Sequence, residues 1–209
     1  MMKPDIDQVE RRVKGYWFQD GFGEMAGGLV FLVLGSYFAL SEYLGDSFWG
    51  GLLQAAFILV FFALMFVGRR LVAALKSRFV YPRTGFVEYR VDEDTRHRRK
   101  ILAGLVGALM AAMFTLVLKA TDIEDLTPAL TGLVGGAILV FAGTKSSGVA
   151  RFFVLALISI ALGVALSFIP LAMGYALGMY YGLMALAFFI SGAVVLSRYL
   201  RKSPRPRNS

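Results

Sequence analysis

The stretch LAMGYALGMYYGLMALAFFISGAVVL, residues 171–196, carries no charged side chain along its whole length. A helix needs about 20 mostly apolar residues to cross the hydrocarbon core of a bilayer. This stretch therefore predicts a transmembrane helix, and five earlier blocks predict others. The six predicted spans are Met25–Leu44, Trp49–Val67, Ile101–Leu118, Pro128–Gly143, Phe152–Ile169 and Leu171–Leu196.

The blocks lack the alternation of a β-barrel strand, so backbone hydrogen bonding in lipid requires helices. The predicted fold is an all-α polytopic membrane bundle of six transmembrane helices. The fourth and fifth spans are separated at Thr144–Gly148, where a Ser/Gly cluster and the cations Lys145 and Arg151 predict a turn.

The composition of the 209 residues supports a membrane protein and argues against several kinds of active site. The chain is 57% hydrophobic and only 17% charged, whereas a soluble domain is about a quarter charged. It has no cysteine and one histidine, His97, which lies outside every predicted span. A disulfide scaffold, a cysteine nucleophile, a serine–histidine dyad and a histidine zinc motif are therefore excluded. The sequence predicts no catalytic residue, no metal and no cofactor.

The distribution of positive charge predicts the orientation. With the N-terminus inside, 21 of the 22 lysines and arginines fall in inside segments, and only Lys119 falls outside. This bias follows the positive-inside rule, so we expect a multi-pass protein of the cell (inner) membrane with cytoplasmic termini. The net charge of +8 then reflects orientation and contact with anionic lipids, and we expect no nucleic-acid partner.

Three regions are predicted along the chain. Residues 1–22 are expected to form an amphipathic interfacial helix, because Ile6, Val9, Val13 and Trp17 share one helical face. A polar lead-in to the first span is the alternative. Residues 23–199 form the membrane domain with its inside loop 68–100, and residues 200–209 form a basic cytoplasmic tail.

The inside loop begins as a continuation of the second span, predicted to be an amphipathic helix that ends before Pro82. Residues 82–85 predict a turn, and residues 86–91 alternate as a short strand with Tyr89 on its apolar side. A single strand is not stable alone. It would pair with a second protomer or a partner protein, or else form an irregular loop on the headgroups. The residues predicted for partner contact are Tyr81, Pro82, Arg83, Thr84, Gly85 and Tyr89.

A basic cluster leads from the loop into the third span. Its members are Arg96, Arg98, Arg99 and Lys100. Direct fusion to a span and the absence of interleaved aromatic residues favour anionic lipid headgroups over nucleic acid as their contact.

The string Tyr-Pro-Arg-Thr-Gly-Phe-Val, residues 81–87, resembles a loop motif of small uncharacterised bacterial multi-pass membrane proteins. The aromatic, glycine and glutamate stretch of residues 16–24 is also similar to the beginning of those proteins. The resemblance covers about a fifth of the chain. It implies a bacterial membrane protein and carries no activity with it.

Ionisable and amide groups within spans are functional candidates because they are costly in lipid. Glu24 and Glu42 stand at the two ends of the first span, where both can reach the membrane surface in structural or solvated roles. Gln54 is an amide in the second span and needs a partner. Tyr180 and Tyr181 lie deep in the sixth span and could line a cavity. The candidate cavity or ligand residues are Glu24, Gln54, Tyr180 and Tyr181; Ser159, Ser167 and Ser191 are weaker signals.

Glycines recur at four-residue spacing in two spans. They are Gly132 and Gly136 in the fourth span, and Gly174, Gly178 and Gly182 in the sixth. Small residues at this spacing let helix backbones approach closely. We expect intramolecular packing, with homodimerisation as the alternative.

Three function classes remain open from the sequence. The first is a small-solute or ion transporter or channel, or a membrane-embedded ligand-binding subunit. The second is a non-catalytic adaptor or regulator that recruits a partner or anionic lipid through loop 68–100. The third, and least supported, is an intramembrane enzyme. Transport predicts a polar or aromatic cavity near the middle of the bilayer, whereas an adaptor predicts a dry bundle.

Overall fold

The structure, a computed structural model, describes residues 20–79, 126–147 and 150–202. In this part of the chain every regular element is helical. The helices are α1 (Phe22–Leu44), α2 (Phe48–Phe79), α3 (Thr127–Phe141), α4 (Arg151–Ser167) and α5 (Met173–Lys202), and a π-helical segment, Ala142–Ser147, extends α3.

Four of these helices are long and apolar enough to cross a membrane, over Phe22–Leu44, Phe48–Ala74, Thr127–Thr144 and Met173–Arg201. The fifth, α4, is apolar but shorter, with 17 residues. Large apolar side chains such as Leu59 and Phe62 are exposed on the outer face of the helices, where lipid would cover them. The part of the chain that the structure describes is therefore all-helical, and its helices indicate a membrane protein.

The helix boundaries follow local chemistry. The backbone N–H of Phe22 donates to the carboxylate of Asp20 (3.1 Å) where α1 begins. Gly45 ends α1 with φ +53°, a conformation that glycine adopts without strain. The backbone N–H of Gly50 donates to the hydroxyl of Ser47 (3.2 Å), which caps the first turn of α2. A tight turn thus joins α1 and α2.

The continuation of the second span as a helix is confirmed, because α2 runs unbroken to Phe79. The turn predicted at Thr144 is wrong for residues 144–147, which are π-helical. The hydroxyl of Thr144 donates to the carbonyls of Val140 (3.0 Å) and Phe141 (3.1 Å), so this side chain stays bonded to its own helix.

Two antiparallel helix pairs make up the bundle. In the first pair, α1 packs against α5, and a Cβ on Gly35 would lie 2.9 Å from the backbone nitrogen of Gly182. In the second pair, α3 packs against α4, and a Cβ on Gly132 would lie 2.8 Å from the Cα of Gly163. Glycine is required at such crossings, since the backbones are nearly in contact.

Helix α5 connects the two pairs, and the hydrophobic core lies along its inner face. Tyr180, Met184 and Phe188 are buried there against Leu155 and Ala156 of α4. Helix α2 lies outside this core against α1, where the rings of Tyr37 and Phe57 stack with centroids 3.9 Å apart.

The two ends of the bundle differ in charge. One end, named here the basic end, holds the first residues of α1 and α4 and the last residues of α2, α3 and α5. All lysines and arginines of the described residues belong to the helix segments at this end. The opposite, acidic end holds Glu42 and Asp46.

Several predicted elements lie outside the described residues. They are the third span Ile101–Leu118, most of the interfacial helix 1–22, the strand 86–91 and the tail beyond Lys202. The domain division at residue 199 falls inside α5, which continues to Lys202.

Candidate functional site

A buried carboxylate joins three helices at the basic end. Glu24, the third residue of α1, is 2% exposed. One of its carboxylate oxygens accepts a hydrogen bond from the Nε of Arg151 on α4, and the other accepts one from the hydroxyl of Ser191 on α5 (2.7 Å). These residues are named the Glu24 cluster. Of the two roles expected for Glu24, the solvated one is wrong because α4 and α5 cover the side chain, and these contacts are of the structural kind.

The two charges of the Glu24 cluster have different surroundings. The Glu24 side chain is 1% exposed, whereas 25% of the Arg151 side chain is exposed. Glu24 stands in the first turn of its helix, where the helix dipole favours a negative charge. Arg151 is the first residue of α4, where the dipole of α4 disfavours a positive charge. The pairing with Glu24 therefore holds Arg151 at a helix end that would otherwise repel it.

A second buried polar group lies in the middle of the bundle. The hydroxyl of Ser159 on α4 donates to the carbonyl oxygen of Gly132 (2.9 Å), and it lies 2.7 Å from the hydroxyl of Tyr180 on α5. Because a hydroxyl has one proton, Tyr180 donates to Ser159. Both side chains are at most 1% exposed. Ser159, Tyr180 and Gly135 are named the central cluster.

Gly135 belongs to this cluster because it leaves room for the two hydroxyls. A Cβ at this position would lie 2.7 Å from the Tyr180 oxygen and 2.9 Å from the Ser159 oxygen. The sequence pattern singled out Gly132 and Gly136, but the glycine between them admits the polar side chains.

Tyr181 turns away from its neighbour and packs on α1. Its ring is parallel to that of Phe38, with centroids 5.5 Å apart, and lies 5.7 Å from the ring of Phe31. Tyr180 and Tyr181 therefore contact different helices. They share a ring contact with each other, at 5.1 Å and nearly perpendicular.

A cavity of about 620 Å³ lies at the acidic end. The connection between α4 and α5, from Leu166 to Met173, forms most of its wall, together with Pro128 and Ala176. Ala176 is one helical turn before Tyr180 on α5, so the cavity ends next to the central cluster. A smaller, apolar groove of about 320 Å³ lies at the other end between α1, α2 and Phe189.

A carboxylate also links α1 to α5 at the acidic end. The backbone N–H of Gly174 in the first turn of α5 donates to the Glu42 carboxylate (3.0 Å). This places a negative charge at a helix N-terminus, which is favourable. The α1–α5 pair is thus tied by carboxylates of α1 at both ends.

The structure brings together only part of the predicted cavity set. Glu24 and Tyr180 are buried on the inner faces of α1 and α5, and Tyr181 is half-buried between those helices. Gln54 lies exposed on α2 and belongs to neither cluster. Of the predicted contact residues, Tyr81, Pro82, Arg83, Thr84, Gly85, Tyr89, Arg96, Arg98, Arg99 and Lys100 lie outside the described residues.

The predicted glycines occupy two kinds of position. Gly132, Gly136, Gly174 and Gly178 each face a neighbouring helix so closely that an added Cβ would come within 3.0 Å of it. A Cβ on Gly182 would meet no described atom within 4 Å, although its backbone nitrogen lies close to α1.

Arg151 is the functional candidate that sequence reasoning missed, since it counted only as an inside charge. A signal was available, because Glu24 and Arg151 both begin apolar spans on the same predicted side of the membrane. A carboxylate and a guanidinium at matching depths are expected to pair in a helical bundle.

The comparisons with known proteins add no relative. No family model matches the chain, and neither the curated proteins nor the solved structures include a match. The resemblance of residues 81–87 to bacterial multi-pass proteins stays a prediction.

Proposed function

We propose that this chain is a six-span protein of the bacterial inner membrane that moves a small solute or ion, with both termini in the cytoplasm. The segregation of lysine and arginine to one end of the described bundle supports this orientation. The basic end is then cytoplasmic, and the cavity between α4 and α5 opens outward.

The observation that carries the transport proposal is a file of residues along the inner face of α5. Ala176 lines the outer cavity, Tyr180 belongs to the central cluster, Met184 is fully buried, and Ser191 belongs to the Glu24 cluster. Spacings of four, four and seven residues keep them on one helical face. With a cavity at one end and two polar clusters beyond it, the described bundle would correspond to a transporter that is closed toward the cytoplasm.

The way the helices pack suggests how such a path would open. Glycine contacts hold α1 against α5 and α3 against α4, so that each pair would move as a unit. The two pairs meet through side chains, including the hydrogen bond between Ser159 and Tyr180. A rigid-body rotation of one pair against the other would separate this contact and expose both hydroxyls to a solute.

Uptake into liposomes tests the proposal with glycerol, urea and methylammonium as probes. We expect the reconstituted chain to accelerate entry of at least one probe, and Ala176→Trp to reduce that rate by filling the cavity. Leu186→Trp is the matched control, because Leu186 is on the same helix but 56% exposed, on its lipid-facing side. Equal uptake with and without the protein for every probe contradicts transport.

An adaptor is the second candidate, and the packed centre favours it. Ser159 and Met184 are not exposed at all, and Tyr180 is 1% exposed, so the described core is dry in this conformation. In that case the bundle would hold loop 68–100 at the cytoplasmic surface, where it recruits a partner protein, a second copy or anionic lipid. A purified chain that transports no probe but binds anionic vesicles through residues 96–100 would favour this candidate.

A further inference from the structure

The apolar groove of about 320 Å³ at the basic end lies between the beginning of α1 and the later half of α2. It extends from Val30 and Leu64 at its inner end to Phe22 and Val72 at its outer end, and Phe189 of α5 contributes to its wall. Every described residue that lines the groove is apolar or glycine. The groove therefore favours an apolar occupant.

The outer end of the groove lies at the depth of the basic residues of α2. Gly68 and Val72 line it, and the exposed Arg70 stands between them in the chain. Arginines at the end of a span lie near the lipid headgroups, so the outer end faces headgroups and water rather than acyl chains. An amphipathic segment suits this place, since it has an apolar side for the groove and a polar side for the surroundings.

The chain enters the bundle beside this groove. Residues 1–19 lie outside the described residues and join α1 through Asp20. Gly21, with φ +77°, lets the chain change direction where α1 begins. A Cβ on Gly21 would lie 2.4 Å from the carbonyl oxygen of Gly192, and Gly192 follows Phe189 of the groove wall by about one helical turn.

We propose that residues 1–19 dock in this groove as an amphipathic helix, with Ile6, Val9, Val13 and Trp17 against its apolar wall. In a helix this apolar stripe would be about 16 Å long, and the part of α1 that lines the groove is about 12 Å long, so the two lengths match. Because the segment is attached to the chain beside the groove, its effective concentration there is about millimolar. The attachment favours it over a second copy of the chain.

Docking would also determine where the inside loop begins. The predicted loop 68–100 starts at Gly68, and Gly68, Leu71 and Val72 all line the groove. A docked segment would hold this part of α2 against α1. The consequence is the same for a transporter and for an adaptor, so the docking does not depend on which of the two functions applies.

Cysteine pairs test the contact, because the chain has no cysteine of its own. A Cβ on Gly68 would meet no described atom within 4 Å, so Gly68→Cys adds a thiol to the wall without overpacking. Under mild oxidation in membranes, Val9→Cys or Val13→Cys should form an intramolecular disulfide with it. Gly51→Cys is the matched control and should form none, because Gly51 is equally open but lies at the other end of α2.

The rate at which a maleimide labels Gly68→Cys is a second measurement, and it needs no disulfide. Val13→Asp places a carboxylate on the apolar stripe and should raise this rate about tenfold, the factor that corresponds to the lost burial of one valine side chain. Gln8→Asp places the same group on the opposite side of the predicted helix. It should leave the labelling rate unchanged.

Docking of residues 1–19 is refuted if no position of the apolar stripe forms an intramolecular disulfide with position 68, or if the two aspartate variants are labelled at equal rates. Disulfides that form only when single-cysteine chains are mixed would show that a second copy occupies the groove. Protection of position 68 that neither aspartate variant changes would show that lipid or another part of the chain covers it.

Discussion

Two glycines of the same predicted packing pattern should respond differently to replacement by alanine. At Gly132 an added Cβ would lie 2.6 Å from the carbonyl oxygen of Ser159 and 2.8 Å from the Cα of Gly163. Non-bonded carbon atoms rest about 3.5–4.0 Å apart, so α3 and α4 would have to separate by about 1 Å. This would also stretch the 2.9 Å hydrogen bond from Ser159 to Gly132. Overpacking of this kind costs about 1–3 kcal/mol.

Gly182→Ala is the matched control on α5. No described atom lies within 4 Å of the position that its Cβ would take. Alanine is also favoured over glycine within a helix by about 0.5–1 kcal/mol. We therefore expect Gly132→Ala to lower the free energy of unfolding by about 1–3 kcal/mol, and Gly182→Ala to leave it unchanged or raise it slightly.

The assay is reversible unfolding in mixed micelles, followed by circular dichroism and applied to the wild type and both variants under identical conditions. Equal losses for the two variants would refute the reasoning, because they would show that the spacing of glycine, rather than the contact at each position, determines stability.

Three further predictions use the same unfolding assay. Arg151→Ala should lower the free energy of unfolding by about 3–5 kcal/mol, since it leaves a buried carboxylate unpaired. Glu24→Gln should lower it by about half as much, since the guanidinium that remains can reach water. Equal losses for the two variants would contradict this reasoning. Ser159→Ala should lower the free energy of unfolding by about 1–3 kcal/mol by removing the acceptor of the Tyr180 hydroxyl. Tyr180→Phe should lower it by about 1 kcal/mol, because Ser159 keeps its hydrogen bond to α3. A larger loss for Tyr180→Phe than for Ser159→Ala would count against the assigned donors. Glu42→Ala should lower the free energy of unfolding by less than about 1 kcal/mol, because the Glu42 side chain that caps α5 is exposed. Glu42→Gln should lower it even less, because glutamine keeps an oxygen that accepts the hydrogen bond. A large loss in the glutamine variant would mean that charge rather than hydrogen bonding matters there.

The membrane helices could be predicted from the sequence because their signal is local. A long apolar block needs no knowledge of its neighbours, and α1, α2, α3, α4 and α5 all begin within about three residues of the predicted spans, inside the usual boundary error. Hydropathy does not show that the Thr144 hydroxyl bonds to its own helix, so the sequence predicts a turn where the structure has a π-helical segment.

The candidate site could be predicted only in part, because it depends on which helices are neighbours. Glu24 and Tyr180 were recognisable as unusual groups within their spans. Their partners Arg151 and Ser159 lie 127 and 21 residues away in the chain. Hydropathy contains no information on helix pairing, and serine commonly bonds to its own helix. Gln54 is the opposite case. As a polar residue within a span it was a candidate cavity residue, but the packing of α2 does not bring it into either cluster.

Solvent access to Met184 tests the central claim most directly. The chain has no cysteine, so Met184→Cys introduces a single thiol at a fully buried position between the two polar clusters. Asp46→Cys, in the exposed turn at the acidic end, reports which side of the membrane a charged maleimide has reached. If the bundle opens alternately to the two sides, the thiol at position 184 will be labelled slowly in both right-side-out and inside-out vesicles. If the bundle is a rigid scaffold, position 184 will stay unlabelled from both sides while position 46 reacts fully from one.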